Sequence, residues 1–153
     1  MRSKNKITVL FTSAGSPVMP SLIEAIKDSG ALIDRVGGVD ARDQAITHQL
    51  DFFAPLSFAT DPNYFHSLLK VCSENSVDFL IPFSDPETVV LTQAEKRAQL
   101  QEIGVHVVAP ELFSVTLCQN KQRLLEHLGA LAITRLPSRL IYSFTELQLA
   151  AES

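Results

Sequence analysis

The residues whose types and spacing could do chemistry fall in a polar loop, a set of carboxylates and one lysine. The loop, Thr12 to Ser16, places Ser13, Ala14, Gly15 and Ser16 between an apolar run and a helical pattern. Backbone N–H groups and hydroxyls at a helix N-terminus make a natural anion site. A tight turn with Ser16 as its cap uses the same residues. The loop lacks GxGxxG and the phosphate-loop lysine, so neither dinucleotide nor P-loop binding is indicated. Asp40 stands where a dinucleotide fold keeps its ribose-binding acid, or it caps a turn through Arg42. Asp85 and Glu87 follow another apolar run. Two carboxylates there hold a cationic group or a metal, or they serve a helix N-terminus by capping and dipole interaction. Lys121 shares a helical stripe with Leu117, Leu124 and Leu128. A lysine there snorkels to the surface or reaches an anion. If Asn120 caps a new helix, that register breaks.

Other constellations are excluded. His48, His66, His106 and His127 show no metal-ligand spacing. No Ser/His/Asp or Cys/His arrangement follows from spacing. Cys72 and Cys118 lie in helical patterns and are expected in the core.

The elements that must position these residues alternate. Ile7 to Phe11 is a β-branched apolar run and the first strand. A helix begins near Pro17 or Pro20, since proline is tolerated only in the first turn, and Gly30 ends it. Leu32 to Val39 is a second strand, closed by a turn or short helix over Asp40, Ala41, Arg42 and Asp43. Phe52 to Phe58, broken by Pro55, suits a sheet edge. Asp61 and Pro62 open a helix with a buried stripe of Phe65, Leu68, Leu69 and Cys72. Val77 to Pro82 is a fourth strand, and one helix follows to about Ile103 and Gly104. Val105 to Val108 is the fifth. Helical patterns cover Glu111 to Leu117 and Gln119 to Leu128, and Gly129 ends the last of these. Leu140 to Tyr142 reads as one more strand, and Phe144 to Ala151 as one more helix. Alternation with doubly apolar strands predicts an α/β fold: a doubly wound, mostly parallel five-stranded sheet with helices on both faces. The loops after strands one, two and four then share the ligand-binding edge.

Composition agrees with a globular domain. The 153 residues are 46% hydrophobic and 20% charged, with net charge -4. That balance offers no broad basic surface, so no nucleic acid partner is expected. Two cysteines argue against a disulfide framework and for a reducing, cytoplasmic setting. The basic start MRSKNK precedes an apolar run too short for a secretory signal, and no run is long enough to span a membrane.

The ordered set ITVLFTSAGSPVMPSLIEAIKDSG, GGVDARD, DFLIPFSDPE and GVHVVAPELFSVTLCQNKQRLLEHL resembles the N-terminal region of ATP-grasp ligases. The flavour is that of the carbamoyl phosphate synthase large chain, over about Ile7 to Pro137. The resemblance implies a Rossmann-like pre-ATP-grasp domain over residues 1–128 and the start of the linker and ATP-grasp region over 129–153. It implies ATP and Mg2+ as cofactors of the complete enzyme, with small-molecule carboxylate and amine substrates. Substrate-side contacts then come from Ser13, Ala14, Gly15, Ser16, Asp40, Asp85 and Glu87. The family usually has Asp-Lys where this chain has Asn120 and Lys121, and that lysine often helps bind ATP phosphates. The glycine-rich lid and the Mg2+ ligands are not found in this sequence, so it reads as a domain cut from its catalytic half and inactive alone. The cut would bare apolar surface, so self-association as a homodimer is expected. Two other classes compete. One is a free-standing Rossmann-like module for a small anion or nucleotide. The other is a nucleotide-dependent dehydrogenase, against which the missing glycine fingerprint argues.

Overall fold

The computed structural model describes residues 6–28, 32–42, 49–133 and 139–151. It divides into two compact units, Met1–Val115 and Thr116–Ser153. In the first unit, β1 (Ile7–Phe11), β2 (Ile33–Asp40), β3 (Phe52–Pro55), β4 (Phe79–Ile81) and β5 (His106–Val107) form one sheet, ordered β3-β2-β1-β4-β5. Every pairing is parallel, so the sheet is wholly rather than mostly so. In β1, Leu10 lies beside Gly37 of β2 and Leu80 of β4. β3 is at the edge, as Pro55 at its end requires.

Successive side chains of β1 point to opposite faces and start two cores. Val9 and Phe11 pack with Met19 and Ile23 of helix α1 (Met19–Asp28). Leu10 packs with Leu80 and with residues of three further helices. These are α2 (Tyr64–Glu74), α3 (Asp85–Thr92) and α4 (Ala94–Glu102). Leu10, Leu68, Leu80, Leu91 and Leu100 are each 0% exposed. Each such side chain contributes about 1.5–3 kcal/mol by leaving water. Helices therefore cover both faces, as the alternation predicts. Helix α5 (Leu112–Gln119) leads into the second unit, which holds α6 (Lys121–Ala130) and α7 (Phe144–Ala151). No helix among the described residues is long and apolar enough to cross a membrane.

Several local expectations are corrected. The helix after Asp61 begins three residues later, at Tyr64; Asp61 instead accepts the Asn63 N–H through its carboxylate at 2.7 Å. The single helix expected to run to Ile103 is two, broken at Gln93, whose ψ of 129° is extended. Residues 139–142 form no strand. Helix α6 passes through Gly129 to Ala130. The expected stop at Gly30 and the turn residue Asp43 lie outside the described residues, as does His48.

Cys72 is buried, but Cys118 is exposed rather than in the core. Burial pushes the Cys72 thiol up to about 12 from 9.0. A thiol reagent at about pH 8 should label Cys118 quickly and Cys72 only after unfolding. Rapid labelling of both would contradict this packing. The folded thiol keeps its proton where an unfolded one releases it. The stability from this site is therefore whole below 9.0 and is lost as pH climbs towards about 12.

Candidate functional site

The carboxyl ends of β1, β2, β3 and β4 converge where strand order reverses between β1 and β4, the place at which open α/β sheets bind ligands. The chain leaves β1 sharply. Ser13 has a φ of 48°, a left-handed conformation uncommon outside glycine. That turn aims the Ser13 hydroxyl at Glu87 of α3, to whose Oε2 it donates at 2.7 Å. Thr12 donates to the same oxygen at 2.7 Å and Ser84 at 2.6 Å. Thr12 Oγ1 also accepts the Phe83 N–H at 3.1 Å, so one threonine ties the β1 and β4 loops together.

Ser84 and Glu87 have the spacing of a capping box, but the Ser84 hydroxyl caps no backbone N–H. It turns to the carboxylate instead. Glu87, 8% exposed, is held by hydroxyls and by the N-terminus of α3. The Tyr64 hydroxyl is buried beside it. Burial first, and then the Glu87 charge, push that phenol above its ordinary range. Among the described residues no hydrogen bond to it is formed, although the Glu87 carboxylate lies beside it.

Asp40, the last residue of β2, accepts the Gly15 N–H on Oδ2 at 2.8 Å and the Arg42 N–H on Oδ1 at 2.9 Å. Its turn-capping role is thus real, and it also clamps the β1 loop. Ala14 is 0% exposed, and its N–H donates to the Val39 carbonyl at 3.1 Å. Ser16 donates its N–H back to the Ser13 carbonyl at 3.0 Å.

A cavity of about 180 Å³ opens among these groups, walled by Ser13, Asp40, Phe58, Ser84 and Glu87 with neighbouring loop residues. Of the residues expected at the site, Ser13, Asp40 and Glu87 meet there. Gly15 and Ser16 line a shallower depression that shares Ser13, Asp40 and Phe58. Ala14 packs inward, and Asp85 is exposed and lines neither. Lys121 belongs to the second unit. Asn120 caps α6 by accepting the Arg123 N–H at 3.0 Å, which breaks the stripe through Leu117 and puts exposed Lys121 at the helix start. Its Nζ donates to the Cys118 carbonyl at 3.3 Å. Phe58 and Tyr64 were not expected. The only signals for them were the position of Phe58 at the end of the expected third strand and a hydroxyl at the start of an inward helical stripe.

A parallel sheet with this order, and a polar crevice at its switch point, define a Rossmann-like domain. The family described as PylC-like, N-terminal domain, matches residues 9–108, and the chain belongs to it. Solved structures share the fold. The biotin carboxylase domain of a single-chain bacterial carboxylase superposes with a TM-score of 0.59 at 18% identity, covering 95% of this chain and 34% of that one. The biotin carboxylase subunit of pyruvate carboxylase gives 0.54 at 17%, covering 97% and 32%. A biotin carboxylase–β,γ-ATP complex from Campylobacter jejuni gives 0.59 at 9%, covering 86% and 29%. The chain thus spans about a third of the length of these carboxylases. No curated protein matches it in sequence.

Proposed function

We propose that this chain is the N-terminal domain of an ATP-dependent carboxylate–amine ligase of the carbamoyl phosphate synthase type. In the complete enzyme its first unit would wall the substrate side of the site. The observation that carries this reading is a family match over 9–108 that contains every wall of the switch-point cavity named above. The chain's own residues would bind and orient a small substrate: Asp40 and Glu87 by charge, Ser13 and Ser84 through their hydroxyl oxygens. ATP, with Mg2+, supplies the phosphoryl group that activates a carboxylate in such ligases. Among the described residues no group of three His, Cys, Asp or Glu side chains could hold a metal. The described residues thus supply no all-protein cage for Mg2+. A cytoplasmic setting belongs to the same proposal.

Reading the gene beyond codon 153 tests the assignment. A frame continuing into a glycine-rich lid and acidic metal ligands supports it; a stop codon there, with no such fold encoded alongside, overturns it. The 153-residue chain alone is expected to hydrolyse no ATP. In the complete ligase, Lys121→Ala should weaken ATP binding about tenfold by calorimetry, the scale of one charge-assisted hydrogen bond. Unchanged affinity would remove Lys121 from the nucleotide site. The free-standing anion module is less well supported, because carboxylates face the cavity and the Gly15 N–H is already bonded to Asp40.

A further inference from the structure

The second unit, Thr116–Ser153, buries none of its described residues. A segment below about 40 residues rarely builds a core of its own. Its large apolar side chains stand outside instead. Leu131, Ile133, Leu140 and Tyr142 are exposed, and so are Phe144, Leu147 and Leu149 of α7. Together they offer on the order of 800 Å² of apolar surface, each partner's share of a standard-size interface.

Helix α7 carries its own start. The Ser143 hydroxyl accepts the Glu146 N–H at 3.2 Å, and the Glu146 carboxylate accepts the Tyr142 N–H at 2.8 Å. Glu146 is the only charged residue of α7, and that bond turns it back to the helix start. Phe144, Leu147 and Ala151 recur at helical spacing and form one exposed, uncharged stripe. Phe144 is 74% exposed and Leu147 51%. Leu149 lies off this stripe.

The stripe has a large end and a small end. A two-fold axis near Leu147 turns one copy end for end on the other. Phe144 of each copy then meets Ala151 of its partner, and the two Leu147 side chains face each other. Such a contact sets like charges together, and the stripe brings none. A face built for an unlike partner has no need of complementary ends.

We infer that α7 is a self-association surface, through which two copies of this chain pair antiparallel by Phe144, Leu147 and Ala151. Phe144 is its aromatic anchor. The inference goes beyond the ligase reading and does not depend on it.

The test is sedimentation velocity of the full 153-residue chain from about 1 to about 100 μM, the weak end for interfaces of this area. A reversible shift from 16.8 kDa to twice that mass is expected. Phe144→Ala should weaken association about thirtyfold, as loss of an anchor does. Ala151→Phe fills the space that receives Phe144 and should weaken it about tenfold. The double variant exchanges the large and small ends, and should return to within about threefold of the parent. Leu149→Ala removes a comparably exposed leucine beside the stripe and should change nothing. All these positions are exposed, so helix content by circular dichroism should hold. A monomer at every concentration would show that the stripe serves an unlike partner and would overturn the inference. So would indifference to Phe144→Ala, equal weakening by Leu149→Ala, or no recovery in the double variant.

Discussion

Glu87→Ala should lower the stability of the chain by about 3–4 kcal/mol in urea denaturation, the largest effect expected of any single site residue. One carboxylate oxygen accepts hydroxyls from Thr12, Ser13 and Ser84, and Thr12 is 0% exposed. A hydrogen bond to a charged acceptor contributes about 1.5–3 kcal/mol, and orphaning a buried donor adds a desolvation penalty. The three share an acceptor, so their effects fall well short of additive. Removing the charge beside Tyr64 offsets part of the loss. Glu87→Gln keeps an acceptor and the side-chain shape, and should cost only about 1–2 kcal/mol. Gln should hold the loops while losing the negative charge. If Ala costs less than about 1 kcal/mol, this carboxylate is not what ties the β1 loop to α3.

The second large effect is steric. A Cβ on Gly38 would lie 2.5 Å from the Ala14 Cβ and 2.6 Å from a Leu50 methyl. The leucine can turn away. The Ala14 Cβ cannot, because it is fixed to a backbone whose N–H is bonded to Val39. Gly38→Val should therefore push the Ser13–Gly15 turn off β2 and cost about 2–3 kcal/mol, the range of overpacked cores. The Gly15 bond to Asp40 should be lost with it, and the Ser13 and Gly15 amide resonances should shift. Gly37→Val meets the Phe52 ring at 2.0 Å, an obstacle at the far end of a side chain on the edge strand. It should disturb β3 and leave the β1 turn in place. Equal shifts of the Ser13 and Gly15 amides in both variants would show that the turn is not the sensitive element.

Much of this architecture was legible in the residues. β1 has the bounds that its β-branched run suggests, because a doubly buried strand must be apolar throughout. Pro55 marked the edge strand, since proline cannot donate to a further neighbour. The failures share a cause. No glycine or proline signals the break at Gln93. Residues 140–142 have a strand's composition, but composition supplies no pairing partner.

The candidate site divides in the same way. The sequence by itself determined the parallel sheet, the loops at its switch point and the presence of carboxylates there, since these follow from local periodicity and chain order. Only the tertiary structure decided that Glu87 turns inward while Asp85, two residues earlier on the same helical turn, stays exposed. Only it set Tyr64 against Glu87 and Phe58 at the cavity wall. Those meetings join residues far apart in the chain. No local pattern encodes them, because they depend on how the ends of β1 to β4 pack together once the sheet has formed.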